Sequence, residues 1–398
     1  MIASMSKLSL KEQNKILNEC IMQNVNLADK LNQKGLSYDN LRYVEYTDSD
    51  PDKDNYQSID DVFRYEQLMP AVSFFSGGGG LDIGFEYAGF HNLAAIEFNQ
   101  GFCETLRLNT PKKLVIGPPD YAGDVSDREQ LYEILKSVVG IKPNFEGVFH
   151  GGPPCQSFSI AANQRYNKDG SNFKRTGFDD PEKGELIFDY LWFITQFRPK
   201  AFLIENVDGI ADCDVDGKIN SELSRIADSG YTIYPPIVVN AANYGVPQNR
   251  KRWIIIGTRS EKHLDLPEPN DYVASCYGVF KRSVENALNH ITREHTAESI
   301  SRYMQLSYGS RDKVGRVDRL NPYLPSKTVI AGGTKGGGRS HLHPYTPRTI
   351  SVRECARLQT FPDSYIFTGA TSRQFTQVGN AVPPLLAYKF AMALKKLI

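Results

Sequence analysis

The chain has 398 residues, of which 40% are hydrophobic and 23% charged, the balance of a globular domain rather than a disordered or fibrous chain. Its 46 basic and 46 acidic side chains cancel, which taken alone argues against a nucleic-acid partner. No apolar run approaches about 18 residues and no signal-peptide pattern opens the chain, so the expectation is a cytoplasmic protein that does not span a membrane.

In chain order, residues 9–34 read as a helix. Ser9 and Glu12 form a capping box, apolar positions recur at Leu17, Cys20, Leu27 and Leu31, and Gly35 stops it. Residues 45–61 are acidic and loop-like. Residues 1–69 hold 12 acidic against 8 basic side chains and read as an N-terminal extension, leaving the rest of the chain with a positive surplus.

From residue 71 the pattern changes. AVSFF (71–75) is a buried-strand run, SGGGG breaks it, and LDIGFEYAGF reads as the next helix. NLAAIE (92–97), GVFHGG (147–152), AFLIEN (201–206) and WIIIGT (253–258) repeat the theme of a short apolar run with a polar or glycine-rich end. LIFDYLWFITQF (186–197) has helical length between two of them. This alternation predicts an α/β fold with a doubly wound, mostly parallel sheet, and places functional groups beyond the carboxyl ends of the strands. The polar residues there are Ser76, Glu97, Cys155 and the Glu205–Asn206 pair. The repeats set a catalytic and cofactor-binding domain at 70–258.

Residues 259–352 break the rhythm and read as a second, smaller domain. Within them, residues 313–353 carry eight Lys or Arg with Asp318 as the only acid. With TKGGGRS (334–340), that stretch suits an approach to phosphates as well as a solvated loop. Residues 353–398 return to a helical pattern, with VGNAVPP (378–384) as a turn before the last helix.

The glycine loop FFSGGGGLDIGF lies where a backbone must approach a ligand closely. It fails the G-x-G-x-x-G spacing, because Ile83 stands three residues after Gly80, and no P-loop lysine follows. A ligand smaller than a dinucleotide fits better. Glu97, seventeen residues after Gly80, suits ribose hydroxyls, and Asp124 suits an adenine amine. GGPPCQSFS (151–159) sets Cys155 directly after two prolines, a fixed approach that a nucleophile needs and a buried cysteine does not. The six cysteines hold no CxxC pair, which argues against a zinc site and a disulfide framework.

Six segments in order resemble the cytosine-C5 DNA methyltransferases: FSGGGG (75–80), PPCQSFS (153–159), ENV (205–207), QNRKR (248–252), RECARLQTFPD (353–363) and GNAVPP (379–384). The resemblance spans residues 71–398. It departs from the family at Ser73, where many members carry Asp, and in a longer loop after Cys155, through about residue 182. The resemblance implies a Rossmann-like methyltransferase fold with a target-recognition domain at 259–352. It implies S-adenosylmethionine as methyl donor, S-adenosylhomocysteine as product and no metal. Catalytic residues by the same match are Cys155, Gln156, Glu205, Asn206, Arg250 and Arg252. Cofactor-binding residues are Phe75, Ser76, Gly77, Gly78, Gly80, Leu81, Glu97, Phe98, Asp124, Val125, Pro154, Leu186, Asn380 and Val382.

Base chemistry inside a duplex requires the base to be flipped out. The basic loop 156–182 is expected to close over DNA, with Ser159, Arg165, Lys174 and Arg175 as contacts. Arg316, Arg319, Lys335 and Arg339 are the recognition-domain candidates, most of them for phosphate. The expected partner is double-stranded DNA, bound by a monomer at a short site shared with a cognate restriction endonuclease, in a nucleoid-associated cytoplasmic setting. A same-fold tRNA cytosine-C5 methyltransferase is the alternative. A non-enzymatic DNA-binding relative and a dehydrogenase are less favoured.

Overall fold

The structure is a computed structural model that describes residues 7–45, 54–154, 186–214, 217–330 and 341–398. It divides into two compact units, residues 59–244, 250–271 and 381–398 in one, and residues 1–58, 245–249 and 272–380 in the other.

The first unit is built on an eight-stranded sheet. In chain order it contains β1 (Met69–Phe74), β2 (Phe90–Ile96), β3 (Leu114–Ile116), β4 (Val148–Gly151), β5 (Ala201–Asn206), β6 (Thr232–Ile233), β7 (Ile237–Asn240) and β8 (Lys251–Thr258). The strand order is β3-β2-β1-β4-β5-β8-β6, with β7 also paired to β8. β3, β2, β1, β4 and β5 run parallel. β8 is antiparallel to β5, β6 and β7. The parallel rhythm read from 71–258 therefore ends at β5, and WIIIGT runs the other way. The start of β8 lies at the carboxyl end of β5 for that reason. The order reverses at β1, which has β2 on one side and β4 on the other, and the crevice outside such a switch point is where doubly wound sheets bind ligands.

The helices of this unit are α3 (Gly80–Ala88), α4 (Gln100–Asn109), α5 (Arg128–Ser137), α6 (Leu186–Phe197), α7 (Lys218–Asp228) and α12 (Pro384–Leu397). α6 is apolar almost all round, and Ile187, Tyr190, Phe193 and Phe197 enter the core with Phe74, Phe149 and Phe202. Its Asp189 is buried but paired, at 2.7 Å, with Arg128 Nε. Gly84 lets α3 touch α12, since a Cβ there would lie 2.4 Å from that of Ala387. Among the described residues no helix is long and apolar enough to cross a membrane.

The second unit holds α1 (Leu10–Gln23), α2 (Leu27–Asn32), α8 (Tyr277–Lys281), α9 (Ala297–Tyr303), α10 (Val352–Leu358) and α11 (Thr371–Asn380). It also has a small sheet of β9 (Arg311–Asp312), β10 (Val317–Arg319) and β11 (His341–Leu342), in the order β11-β10-β9. The helix expected over 9–34 is two helices. The Ser9–Glu12 capping box forms, but Asn24 takes a left-handed conformation at φ 53° and Asn26 starts α2 with a new side-chain cap. Val378–Asn380, expected as a turn, closes α11.

The N-terminal residues are not an appendage of their own. Ile16, Leu17, Cys20, Leu27 and Leu31 share one core with Ile300, Met304, Val317 and Leu342. Arg348, 1% exposed, pairs with Asp39 at 2.6 Å and with Glu354 at 2.7 Å. The division into units also departs from breaks at 69, 259 and 353. Residues 259–271 belong with the sheet, and residues 353–380 with the second unit.

Candidate active site

The carboxyl ends of the parallel strands carry the glycine loop after β1, Glu97 after β2 and the Glu205–Asn206 pair of β5. After β1 the chain turns through Phe75 (φ 54°), Gly77 (φ 57°) and Gly79 (φ 80°), three left-handed residues in a five-residue loop. Phe75 is a bulky residue in a region that costs about 1–3 kcal/mol, a strain typical of ligand-binding loops. Ser76 is buried in this loop and Leu81 opens into α3.

Glu97, at the end of β2, reaches this loop. Its carboxylate accepts from Gly77 N at 2.8 Å and from Asn99 N at 2.7 Å. Burial raises its pKa above the ordinary value, against the pull of those two N–H groups. Beside it Phe98 is 68% exposed, a ring uncovered next to a buried carboxylate. Asp124 accepts from Ser126 N at 2.9 Å and from its hydroxyl at 2.7 Å through one oxygen. Val125 is buried behind it. Gly117 and Gly123 let this loop close on β2, because a Cβ at either would lie 2.1 or 2.2 Å from the Glu97 carbonyl. Sequence reasoning missed both glycines, although Gly123 directly precedes Asp124 in AGDV. A left-handed glycine loop, a buried acceptor, a bare ring and a second carboxylate are the complement of an adenosine-containing ligand. The donor set thus fits the expected methyl donor.

A buried polar chain supports the glycine loop from below. Ser76 Oγ donates to Ser73 Oγ at 2.8 Å, and Ser73 Oγ donates to Asp82 Oδ1 at 2.5 Å. Lys113 pairs with Asp82 at 3.4 Å and with Glu86. Burial lowers the Lys113 pKa, but the two carboxylates override it and the net shift is upward. Asn92 Nδ2 donates to Glu86 at 3.2 Å, and its Oδ1 accepts from His150 Nε2 at 2.7 Å. His150 stacks on Phe85 at 4.0 Å between centroids. Neither Lys113 nor His150 stands out in the sequence, because a Lys-Lys pair before a strand and a lone His within one carry no pattern.

Beyond β4 lies the Gly151–Pro154 segment. Neither Gly151 nor Gly152 has a left-handed φ, so the glycines are not there to turn the chain. They are there for space. A Cβ on Gly151 would meet Phe74 O at 3.0 Å, and one on Gly152 would meet Glu205 Oε2 at 2.8 Å. Pro154 is the last described residue before a gap. Cys155, Gln156, Ser159, Arg165, Lys174 and Arg175 lie outside the described residues, as do Lys335 and Arg339. Leu186 opens α6.

At the end of β5, Glu205 and Asn206 face the start of β8, in register with Ile254 and Trp253. Glu205 Oε1 lies 2.5 Å from Arg252 Nε, and both side chains are about nine-tenths buried. The partner of Glu205 is thus Arg252 and not Arg250. Arg250 is 1% exposed and donates to the carbonyl of Ala381 at 2.9 Å, holding the chain ahead of α12. Asn206 Nδ2 donates to Pro153 O at 3.3 Å, which ties β5 to the segment leading into Cys155. Val382 is buried in this unit, and Asn380 is the exposed last residue of α11 in the other.

In the second unit the basic stretch is not one surface. Arg319, Arg348 and Arg353 are each at most 1% exposed. Arg319 lies over Tyr43 at 3.6 Å and donates to Pro344 O at 2.9 Å, so it is a core residue and not a phosphate contact. Arg353 donates to Leu288, Pro362 and Tyr365 carbonyls. Lys313, Arg316 and Lys327 are the exposed cations of this stretch among the described residues. Gln248 of QNRKR is fully buried and donates to Gln359 Oε1 at 2.9 Å, a structural tie within this unit.

The family follows from comparison with known proteins. The model of the C-5 cytosine-specific DNA methylases matches residues 69–396. The chain belongs to that family. It is 32% identical to the type II methyltransferase M1.HphI of Haemophilus parahaemolyticus, over 84% of this chain and 88% of the relative. It is 31% identical to M.Sau96I of Staphylococcus aureus, over 91% of this chain and 82% of the relative. Among solved structures, a prophage-encoded E. coli DNA modification methyltransferase superposes with a TM-score of 0.66 at 25% identity, covering 83% of this chain and 99% of that one. This methylase is thus a DNA (cytosine-5-)-methyltransferase with the α/β, mostly parallel sheet of its structural neighbours. A cleft of about 910 Å³ lies between Tyr234, Ile237 and Ile256 on one side and Tyr388 and Met392 of α12 on the other, and none of these site residues lines it.

Proposed function

We propose that this methylase transfers the methyl group of S-adenosylmethionine to C5 of a cytosine flipped out of a specific short duplex site, as the modification half of a restriction–modification system. The observation that carries the reading is the Glu205–Arg252 pair at the carboxyl end of β5, set against the Gly152–Pro153–Pro154 segment that runs into Cys155. Type II relatives carry the restriction–modification part.

When bound, S-adenosylmethionine supplies an electrophilic methyl group. The residues that would hold it are Phe75, Ser76, Gly77, Gly78, Gly80 and Leu81 of the glycine loop, with Glu97 for the ribose hydroxyls and Phe98 beside it. Asp124 would accept from the adenine amine, and Val125, Pro154, Leu186 and Val382 would line the same pocket. Cytosine C5 is too weak a nucleophile by itself. The Cys155 thiolate adds to C6, and the electron pair displaced from the C5–C6 double bond makes C5 enamine-like. Glu205 donates a proton to N3 and so neutralises the charge that builds on the ring. Arg252 holds the Glu205 carboxyl in place, and Asn206 holds the backbone ahead of Cys155. C5 takes the methyl group, a base removes the C5 proton as the thiolate leaves from C6, and N3 returns its proton to Glu205. Gln156 orients the catalytic loop, and Arg250 acts by holding the chain before α12. Ser159, Arg165, Lys174 and Arg175 contact DNA, joined by Arg316, Lys335 and Arg339.

Tritiated methyl transfer to unmethylated duplex DNA, with tRNA in parallel, tests the reading. Label is expected in DNA alone, and Cys155→Ser is expected to abolish it. Label in tRNA alone, or full activity in the serine variant, would overturn it. Bisulfite sequencing of host DNA then reads the site.

A further inference from the structure

The second glycine of GGPPC has no backbone reason to be glycine. Its φ lies outside the left-handed region, which leaves alanine allowed there. What excludes a side chain is the Glu205 carboxyl. A Cβ on Gly152 would lie 2.8 Å from Glu205 Oε2, while the Glu205 carbonyl oxygen and Cδ would be no nearer than 3.8 Å and 4.0 Å. The clash is confined to the terminal oxygen of one side chain. The opposite oxygen of that carboxyl is held by Arg252 Nε at 2.5 Å. The carboxyl therefore sits between a guanidinium on β8 and a bare backbone at the exit of β4. Any Cβ at position 152 forces it to swing away from that backbone, which strains or breaks its contact with Arg252.

We propose that Gly152 is a positioning residue for methyl transfer: its missing side chain lets the Glu205 carboxyl lie against the backbone at the exit of β4, and so sets where the proton donor stands. The inference rests on the catalytic reading of Glu205. Because only a flexible carboxyl end must move, alanine at 152 leaves the fold intact while displacing the group that donates the proton. Displacements of this size, about 1 Å, cost on the order of 100-fold in rate.

The test uses the full-length enzyme, with kcat, KM for S-adenosylmethionine and thermal midpoint measured for each variant on unmethylated genomic DNA. Gly152→Ala is expected to lose about 100-fold in kcat with unchanged KM and midpoint. Glu205→Asp withdraws the carboxyl by one methylene and is itself impaired. Adding Gly152→Ala to it is expected to cost nothing more, because the shorter side chain no longer meets the Cβ. A backbone role for Gly152 would instead give the same loss in both backgrounds. Wild-type kcat in Gly152→Ala, or an undiminished loss on the Glu205→Asp background, overturns the inference. Glu205→Gln at the wild-type rate overturns the catalytic reading of Glu205 and this inference with it. An inactive Glu205→Gln beside an active Gly152→Ala overturns this inference alone.

Discussion

At the scale of single residues, the environment of a side chain decides its chemistry. Cys20, Cys103, Cys276 and Cys355 are all buried. Burial pushes the Cys103 and Cys276 thiols up to about 12 and raises Cys20 and Cys355 as well. A thiol reacts as its thiolate, so these four are inert at neutral pH. Brief alkylation of the native enzyme followed by peptide mapping is expected to leave these four unmodified. Label on Cys103 or Cys276 before unfolding would contradict the packing. Arg252 is set by the same principle. It is the only cation on the Glu205 carboxyl among the described ion pairs, and Arg252→Met strands a buried carboxylate. Methyl transfer by that variant is expected to fall about 100-fold or more in the tritium assay.

At the scale of elements, the site depends on how α3, β1, β2 and β4 are pinned together. Asp82 and Glu86 lie on successive turns of α3, both buried, and Lys113 ahead of β3 compensates both. Removing one member of a buried ion cluster costs about 3–5 kcal/mol, because the remaining charges stay desolvated. Lys113→Met is therefore expected to lower the thermal midpoint sharply and to weaken binding of the methyl donor through Ser73 and Ser76. Its pKa is raised on folding, so the wild-type contribution is fully present at neutral pH and is lost only as pH rises through the folded value. Of these parts, the strands and the glycine loop were legible as apolar runs with glycine-rich ends. The charge cluster was not, since its members are scattered over α3 and the approach to β3 and resemble surface residues in composition.

At the scale of the whole molecule, the N-terminal helices complete the core of the second unit. Leu17 is 1% exposed among Ile300, Met304 and Leu342, and Leu17→Ala is expected to cost about 2–5 kcal/mol, read as a lower thermal midpoint. Deleting residues 1–45 is expected to give insoluble protein, against a soluble, active product if the segment were a dispensable extension. Acid sensitivity is a further consequence. Burial holds His150, His295 and His343 to about 3, 4 and 3, below the ordinary 6.5. An unfolded chain protonates these rings as pH falls through 6.5 while the folded chain does not, so their contribution is present above 6.5 and is lost progressively below it. Burial opposes ionisation of Glu354, but the Arg348 guanidinium overrides it and holds the carboxyl at about 2, adding a second loss at lower pH. The thermal midpoint is expected to be lower at about pH 5 than at about pH 7.5, and an equal midpoint would count against buried neutral imidazoles.

By itself the sequence determined the alternation of strands and helices around the glycine loop, the order of the six motifs, and so the family and its chemistry. These are local signals: an apolar run of strand length, a glycine cluster, a cysteine after two prolines. Tertiary structure decided what each charged or small residue is for. Arg319, Arg348 and Arg353 looked like one basic surface and are buried in the core. Arg252, and not Arg250, meets Glu205, because β8 runs antiparallel to β5 and brings its first residues to that strand's end. Gly152 carries no local signal of its own and is a space left for a carboxyl group. Burial, charge partners and free volume depend on which strands lie side by side, and that adjacency joins residues too far apart in the chain for any local pattern to record.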